Sequence, residues 1–148
     1  MNPTLTFDEV KAHLDEWGLA DADLLLADAT YAFFTVEFVT GDFAVAAENY
    51  LAKIVGNYEA EDADCDDFAE ACACFAHAVH RKTLTRPRET AVAFGEFWFT
   101  THEGEGHAIN CFISLISDVW KLLFFEPQTC ELVTLTPEEI TSCEMLRF

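Results

Sequence analysis

Apolar positions fall into different patterns along the chain. Behind Thr6-Phe7-Asp8-Glu9, a capping-box pattern, Val10, Leu14 and Trp17 recur at helical spacing, and Gly18 stands where that helix should end. From Leu24 to Val39 the chain is apolar and rich in Phe, Tyr and Thr without a clean period, so strand, helix and extended loop all stay open there. Asp42 is placed to cap a helix running through Ala46, Ala47, Tyr50, Leu51 and Ile54 to Gly56. Phe68, Cys72, Phe75, Ala76 and Val79 share one face of a further helix that begins at Cys65 and reaches about His80. Thr83 to Glu89, with Arg86, Pro87 and Arg88, reads as a polar linker.

Beyond the linker the pattern becomes strand-like. Ala91 to Thr101 predicts a strand and His102 to Gly106 a loop, while Ala108 to Ile116 and Val119 to Phe125 flank Ser117-Asp118 as the arms of a hairpin. A turn centred between residues 116 and 117 would set His107 opposite Glu126. Further strand extends to Leu135, and Pro137-Glu138-Glu139 starts a short last turn before an apolar tail of Met145, Leu146 and Phe148. Helices first and strands second predict an α+β fold with a helical half over about 1–82 and a mostly antiparallel strand half over about 90–148. At 148 residues and 51% hydrophobic content, the chain is read as one domain able to bury a substantial core. There are no internal repeats.

Charge narrows the partners. With 27 acidic residues against 8 basic ones and a net charge of −19, binding through nucleic-acid phosphate or to an anionic membrane is disfavoured. Divalent cations are favoured by the same balance. No apolar run approaches the roughly 20 residues that cross a bilayer, and no basic, hydrophobic leader opens the chain, so a cytoplasmic location is expected. Apolar residues of the Phe-rich segments allow a homodimer.

The residues that carry chemistry are Cys65, His107 and Glu126. A thiol in the first turn of a helix, an imidazole at a strand start after Gly104-Glu105-Gly106, and a carboxylate at the end of the facing strand supply a nucleophile, a proton acceptor and an orienting group. Asp66 and Asp67, adjoining Cys65, should raise its pKa and disfavour the thiolate; a bound cation would reverse that. Hard oxygen donors suit calcium, with manganese as the alternative, and Asn110 and Gln128 are further candidate ligands. The two acids also suit the positive end of a helix without any metal. Asn57 is the candidate side-chain oxyanion donor beside the Cys65 backbone N–H. The other cysteines, Cys72, Cys74, Cys111, Cys130 and Cys143, read as mostly reduced, since a chain of this size needs no staples. Cys72, Cys74, His77 and His80 do not converge on one helical face, which argues against structural zinc. His102 competes with His107 but has no carboxylate partner legible in sequence.

The segments Asp64-Cys65-Asp66-Asp67-Phe68-Ala69, His107-Ala108-Ile109-Asn110 and Glu126-Pro127-Gln128-Thr129 resemble the papain-fold domain that follows the lectin domain of a fungal chimeric agglutinin. Small phage and bacterial proteins carry a similar pattern. The resemblance spans roughly Tyr50 to Thr129 and implies a papain-like, calcium-dependent cysteine protease acting on a protein or peptide substrate. By position it implies Cys65, His107 and Glu126 as the triad. A Glu orienting group and the lack of a Gln at the usual place before the Cys depart from most papain-like enzymes. No segment resembles the lectin domain, so no carbohydrate-binding role is implied. A transglutaminase-like or deamidating reaction uses the same parts, and a non-catalytic metal-binding interaction module is the alternative.

Overall fold

The computed structural model describes residues 3–59, 64–83 and 89–148; Arg86, Pro87 and Arg88 of the expected linker lie outside them. Helix α1 (Phe7–Glu16) starts as its sequence requires. The Thr6 Oγ1 accepts the Glu9 N–H at 3.3 Å, and Glu9 Oε2 accepts the Thr6 N–H at 2.8 Å. Gly18, at φ +90°, then turns the chain out of the helix.

The ambiguous apolar stretch resolves into three kinds of structure. Strands β2 (Asp23–Leu25) and β3 (Thr30–Ala32) come first, followed by a short helix α2 (Val36–Phe38). Thr35 caps α2, its Oγ1 accepting the Phe38 N–H at 3.2 Å. A wider helical turn over Val39–Phe43, broken at Gly41, leads into α3 (Ala44–Ile54). The cap is therefore Thr35 rather than Asp42, because the helical path is bent through Gly41 instead of starting after it. Helix α4 (Cys65–Lys82) begins where its pattern placed it.

A six-stranded sheet organises the molecule. Its order is β2–β9–β5–β6–β7–β8, with β5 (Phe94–Thr100), β6 (Gly106–Ile116), β7 (Val119–Glu126), β8 (Glu131–Val133) and β9 (Met145–Arg147). β2 runs parallel to β9 and the other pairs are antiparallel. A second sheet joins β1 (Leu5–Thr6), β3 and β4 (Ala91–Val92). The expected strand from Ala91 to Thr101 is thus divided between the two sheets. Ala93 is the crossing point: its N–H reaches the Ala32 carbonyl, while its own carbonyl accepts the Ile113 N–H. Helix α5 (Pro137–Thr141) precedes β9.

The papain-like plan of a helical half followed by an antiparallel strand half is corrected here. Three strands come from the first 32 residues, and two of the strand pairings are parallel. Short apolar runs such as Asp23–Leu25 carry no period of their own; they become strands because β9 and β4 offer them edges.

Both faces of the large sheet are covered. On one, Phe94, Phe112 and Phe125 pack with Phe43 and Leu51 and with Phe68, Cys72 and Ala76 of α4. On the other, Phe97, Ile109, Ile113 and Phe124 pack with Val10 and Leu14 of α1 and with Tyr31. β6 lies between, which is why its sequence is apolar on consecutive positions rather than on alternate ones.

Candidate functional site

Ser117 and Asp118 both have positive φ, 49° and 61°, making the two-residue hairpin turn that matches strand twist. The turn is therefore centred between residues 117 and 118, and Ile116 faces Val119, Cys111 faces Phe124 and Asn110 faces Phe125. This register is displaced by two residues from the one expected. A shift of two keeps every side chain on its own face, so His107 and Glu126 become diagonal neighbours instead of direct ones. They still meet, with His107 Nε2 3.0 Å from Glu126 Oε2.

The pair is held from both ends. Glu126 Oε1 accepts the Gln128 backbone N–H at 3.1 Å, and the His107 ring lies edge-on to Phe99 with centroids 5.8 Å apart. A carboxylate only accepts, so Nε2 carries the proton shared with Glu126, and Nδ1 is an acceptor whenever the ring is neutral.

Cys65 opens α4, half-buried. Burial pushes its thiol up, the Ala108 backbone N–H beside the sulfur pulls it down, and the Asp64 and Asp66 charges push it up again. Ala108 follows His107, so the thiol and the imidazole occupy the same end of β6. Among the described residues no hydrogen bond joins the two side chains. Burial also raises Cys130 to about 11 and Cys143 to about 12, and Cys72 and Cys111 are fully enclosed. Cys74 is exposed.

Asp66 and Asp67 are joined by Asp64, which sequence reasoning used only as part of the motif. Ligand oxygens of the three lie within 4.8 Å of one another, the only such group of His, Cys, Asp or Glu among the described residues. Contact with Asp64 and then burial raise the Asp66 pKa from 3.8, the mark of acids crowded at one point. Hard, mutually repelling oxygens fit calcium. The other two candidate ligands are engaged or placed differently. Gln128 is exposed and lends its main chain to Glu126, while Asn110 is fully buried and donates its amide to Ala69 and Gly95 carbonyls at 2.8 and 2.9 Å. Asn57 is exposed.

The zinc arrangement is absent among the described residues. Cys72 is buried and Cys74 exposed, and His77 and His80 point their Nε2 atoms at the Phe94 and Thr90 carbonyls, at 3.1 and 2.9 Å. His102 has a partner that sequence did not reveal, Glu139 of α5, at 3.3 Å from its Nδ1. Only the fold brings residues 37 positions apart together. The two imidazole–carboxylate pairs border one cavity of about 280 Å³, with Glu103, Glu105 and Phe99 on its wall.

Comparison with solved structures places this fold among lectin chains. The complex of the lectin PSL1a with E64 matches at TM-score 0.72 and 20% identity, over 96% of this chain and 49% of that one. Polyporus squamosus lectin bound to the human-type influenza-binding epitope Neu5Aca2-6Galb1-4GlcNAc matches at 0.66 and 20%, over 96% and 48%. The chain therefore spans about half the length of the lectin chains it matches, and at this identity the likeness shows the fold alone. No protein-family model matches the chain, and neither does any curated protein. These neighbours are named as lectins, so the papain-like cysteine protease expected from the motifs is corrected, together with the peptidase or acyl-transfer activity and the phage-protein likeness. Local motifs of four to six residues were carrying a family assignment that the matched structures do not bear by name. No helix among the described residues is long and apolar enough to cross a membrane.

Proposed function

We propose that this chain is a ligand-binding module whose site lies at the end of β6 that carries the His107–Glu126 pair, with Cys65 against Ala108 beside it. The observation that carries this reading is the His107–Glu126 pair, fixed at both carboxylate oxygens and left with an acceptor nitrogen on the side of the ring away from Glu126. One lectin structure holds E64 and the other a glycan, which makes these two the first ligands to test. The cavity beside His107 carries carboxylates from Glu103, Glu105, Glu126 and Glu139, so a neutral sugar is favoured there and the anionic sialylated end of the epitope is opposed by like charge.

Titration calorimetry is expected to detect E64, or the unsialylated disaccharide Galb1-4GlcNAc in preference to the sialylated epitope. Cys65→Ala and His107→Ala should each weaken that binding roughly tenfold or more, the effect of losing one well-placed polar contact. No binding of either ligand, or binding indifferent to both substitutions, would put the site elsewhere. We also propose that calcium is held by Asp64, Asp66 and Asp67. Crowded carboxylates support this reading, since a cation would relieve the crowding that raises the Asp66 pKa.

A further inference from the structure

Asn110 is a buried polar side chain in a strand that is otherwise apolar around it. It lies in the middle of β6 at 0% exposure, paired with Phe125 of β7 and on the same strand face as Phe112, where an apolar side chain would be expected. Its Oδ1 is the sole buried side-chain polar atom among the described residues without a hydrogen-bond partner. An amide kept there with one end unsatisfied lowers stability by about 1–3 kcal/mol relative to a fully paired one. Its other end does specific work. The two Nδ2 hydrogens go to Ala69 of α4 and Gly95 of β5, so one side chain ties the helix, its own strand and the neighbouring strand together.

The face that α4 turns to the sheet carries Phe68, Ala69, Cys72, Ala73, Ala76 and His80. Its C-terminal half is tied by His77 and His80, which bond the Phe94 and Thr90 carbonyls. The Asn110 amide ties the half that begins at Cys65, where between Phe68 and Ala76 the buried residues are small and their shallow ridges leave the axial position to a directional bond. Ala69 lies one helical turn beyond Cys65, and Asn110 lies three residues beyond His107 on the same strand. We propose that Asn110 is a positioning residue, whose bond to the Ala69 carbonyl sets the height of α4 against β6 and thereby holds Cys65 beside Ala108 and His107. This rests on the ligand-site reading above only for its purpose; the placement of Cys65 is measurable without any ligand.

The test is Asn110→Leu, which removes both donors and the unsatisfied oxygen at similar volume. The melting temperature should stay within a few degrees, because losing two bonds is offset by losing the unpaired acceptor. The Ala108 amide resonance should move in ¹H–¹⁵N spectra while that of Ile113, further along the strand, stays. Alkylation of Cys65 by iodoacetamide, measured against Cys74 as internal standard, should change about tenfold or more, as expected when the sulfur loses its place. Asn110→Ser, which also loses the reach to Ala69, serves if the leucine variant does not fold. A folded variant with an unmoved Ala108 resonance and an unchanged Cys65-to-Cys74 ratio would overturn the proposal. If instead those two change while E64 and glycans bind neither parent nor variant, the positioning role stands and the ligand reading falls.

Discussion

Gly95→Ala is expected to lower the melting temperature by roughly 10 °C. A Cβ built on Gly95 would stand 1.6 Å from the Arg147 carbonyl oxygen and 2.7 Å from its carbon, both backbone atoms that have no rotamer to escape into. Strand β9 must therefore move away from β5. Overpacking against backbone costs about 3 kcal/mol, and each kcal/mol is worth about 2–4 °C in a domain of this length. Displacement of β9 also pulls Arg147 from Glu96, a carboxylate 4% exposed whose other oxygen takes the Trp98 Nε1–H at 3.3 Å. A buried carboxylate left without its guanidinium adds to the loss. Thermal denaturation followed by circular dichroism checks this, and an unchanged midpoint would mean that β9 does not close on Gly95.

Cys65 should alkylate slowly at neutral pH, and replacing Asp64 and Asp66 together by Asn should speed it severalfold. The sign follows from the causes. Burial and the two carboxylates hold the thiol above its ordinary value, so the reactive thiolate is scarce at pH 7 and the rate climbs as pH rises through the raised pKa. Removing the charges lowers that pKa but leaves burial, its largest cause, in place, so the gain is partial. Asn keeps the helix capped at position 64, which separates the charge effect from fraying. Calcium in the parent should act in the same direction as the substitutions. By linkage it should also raise the melting temperature, by about 2.7 kcal/mol of added stability at a hundredfold excess over its Kd. Neither calcium effect should survive in the double variant. Mass spectrometry of iodoacetamide-treated protein, with chelator or with calcium, checks the rates; equal rates in all four samples would leave the acids as helix-terminus charges without a cation.

Asp66 gives a related pH dependence. A carboxylate whose pKa is raised in the folded chain lends stability below pH 3.8 and withdraws it as pH rises through the raised value. Its crowding with Asp64 is a mild cost to stability at neutral pH.

Several elements were determined by sequence alone. The Thr6–Glu9 box, the start of α4 at Cys65, the hairpin at Ser117-Asp118 and the meeting of His107 with Glu126 are local or nearly so. Each depends on a cap, a period or a turn that a few neighbouring residues specify. Even the two-residue error in hairpin register left the His107–Glu126 pair intact, because the side-chain period of a strand is two. Tertiary structure decided the rest. Asp23–Leu25 and Thr30–Ala32 are strands because β9 and β4 lie beside them, and nothing in their own spacing says so. Glu139 meets His102, and Asn110 meets Ala69, across 37 and 41 residues of chain. Asn110 read in sequence as an oxygen donor for a metal; in the fold its NH₂ end goes to the Ala69 and Gly95 carbonyls, each of which has a second lone pair to offer, and its oxygen is buried without a partner.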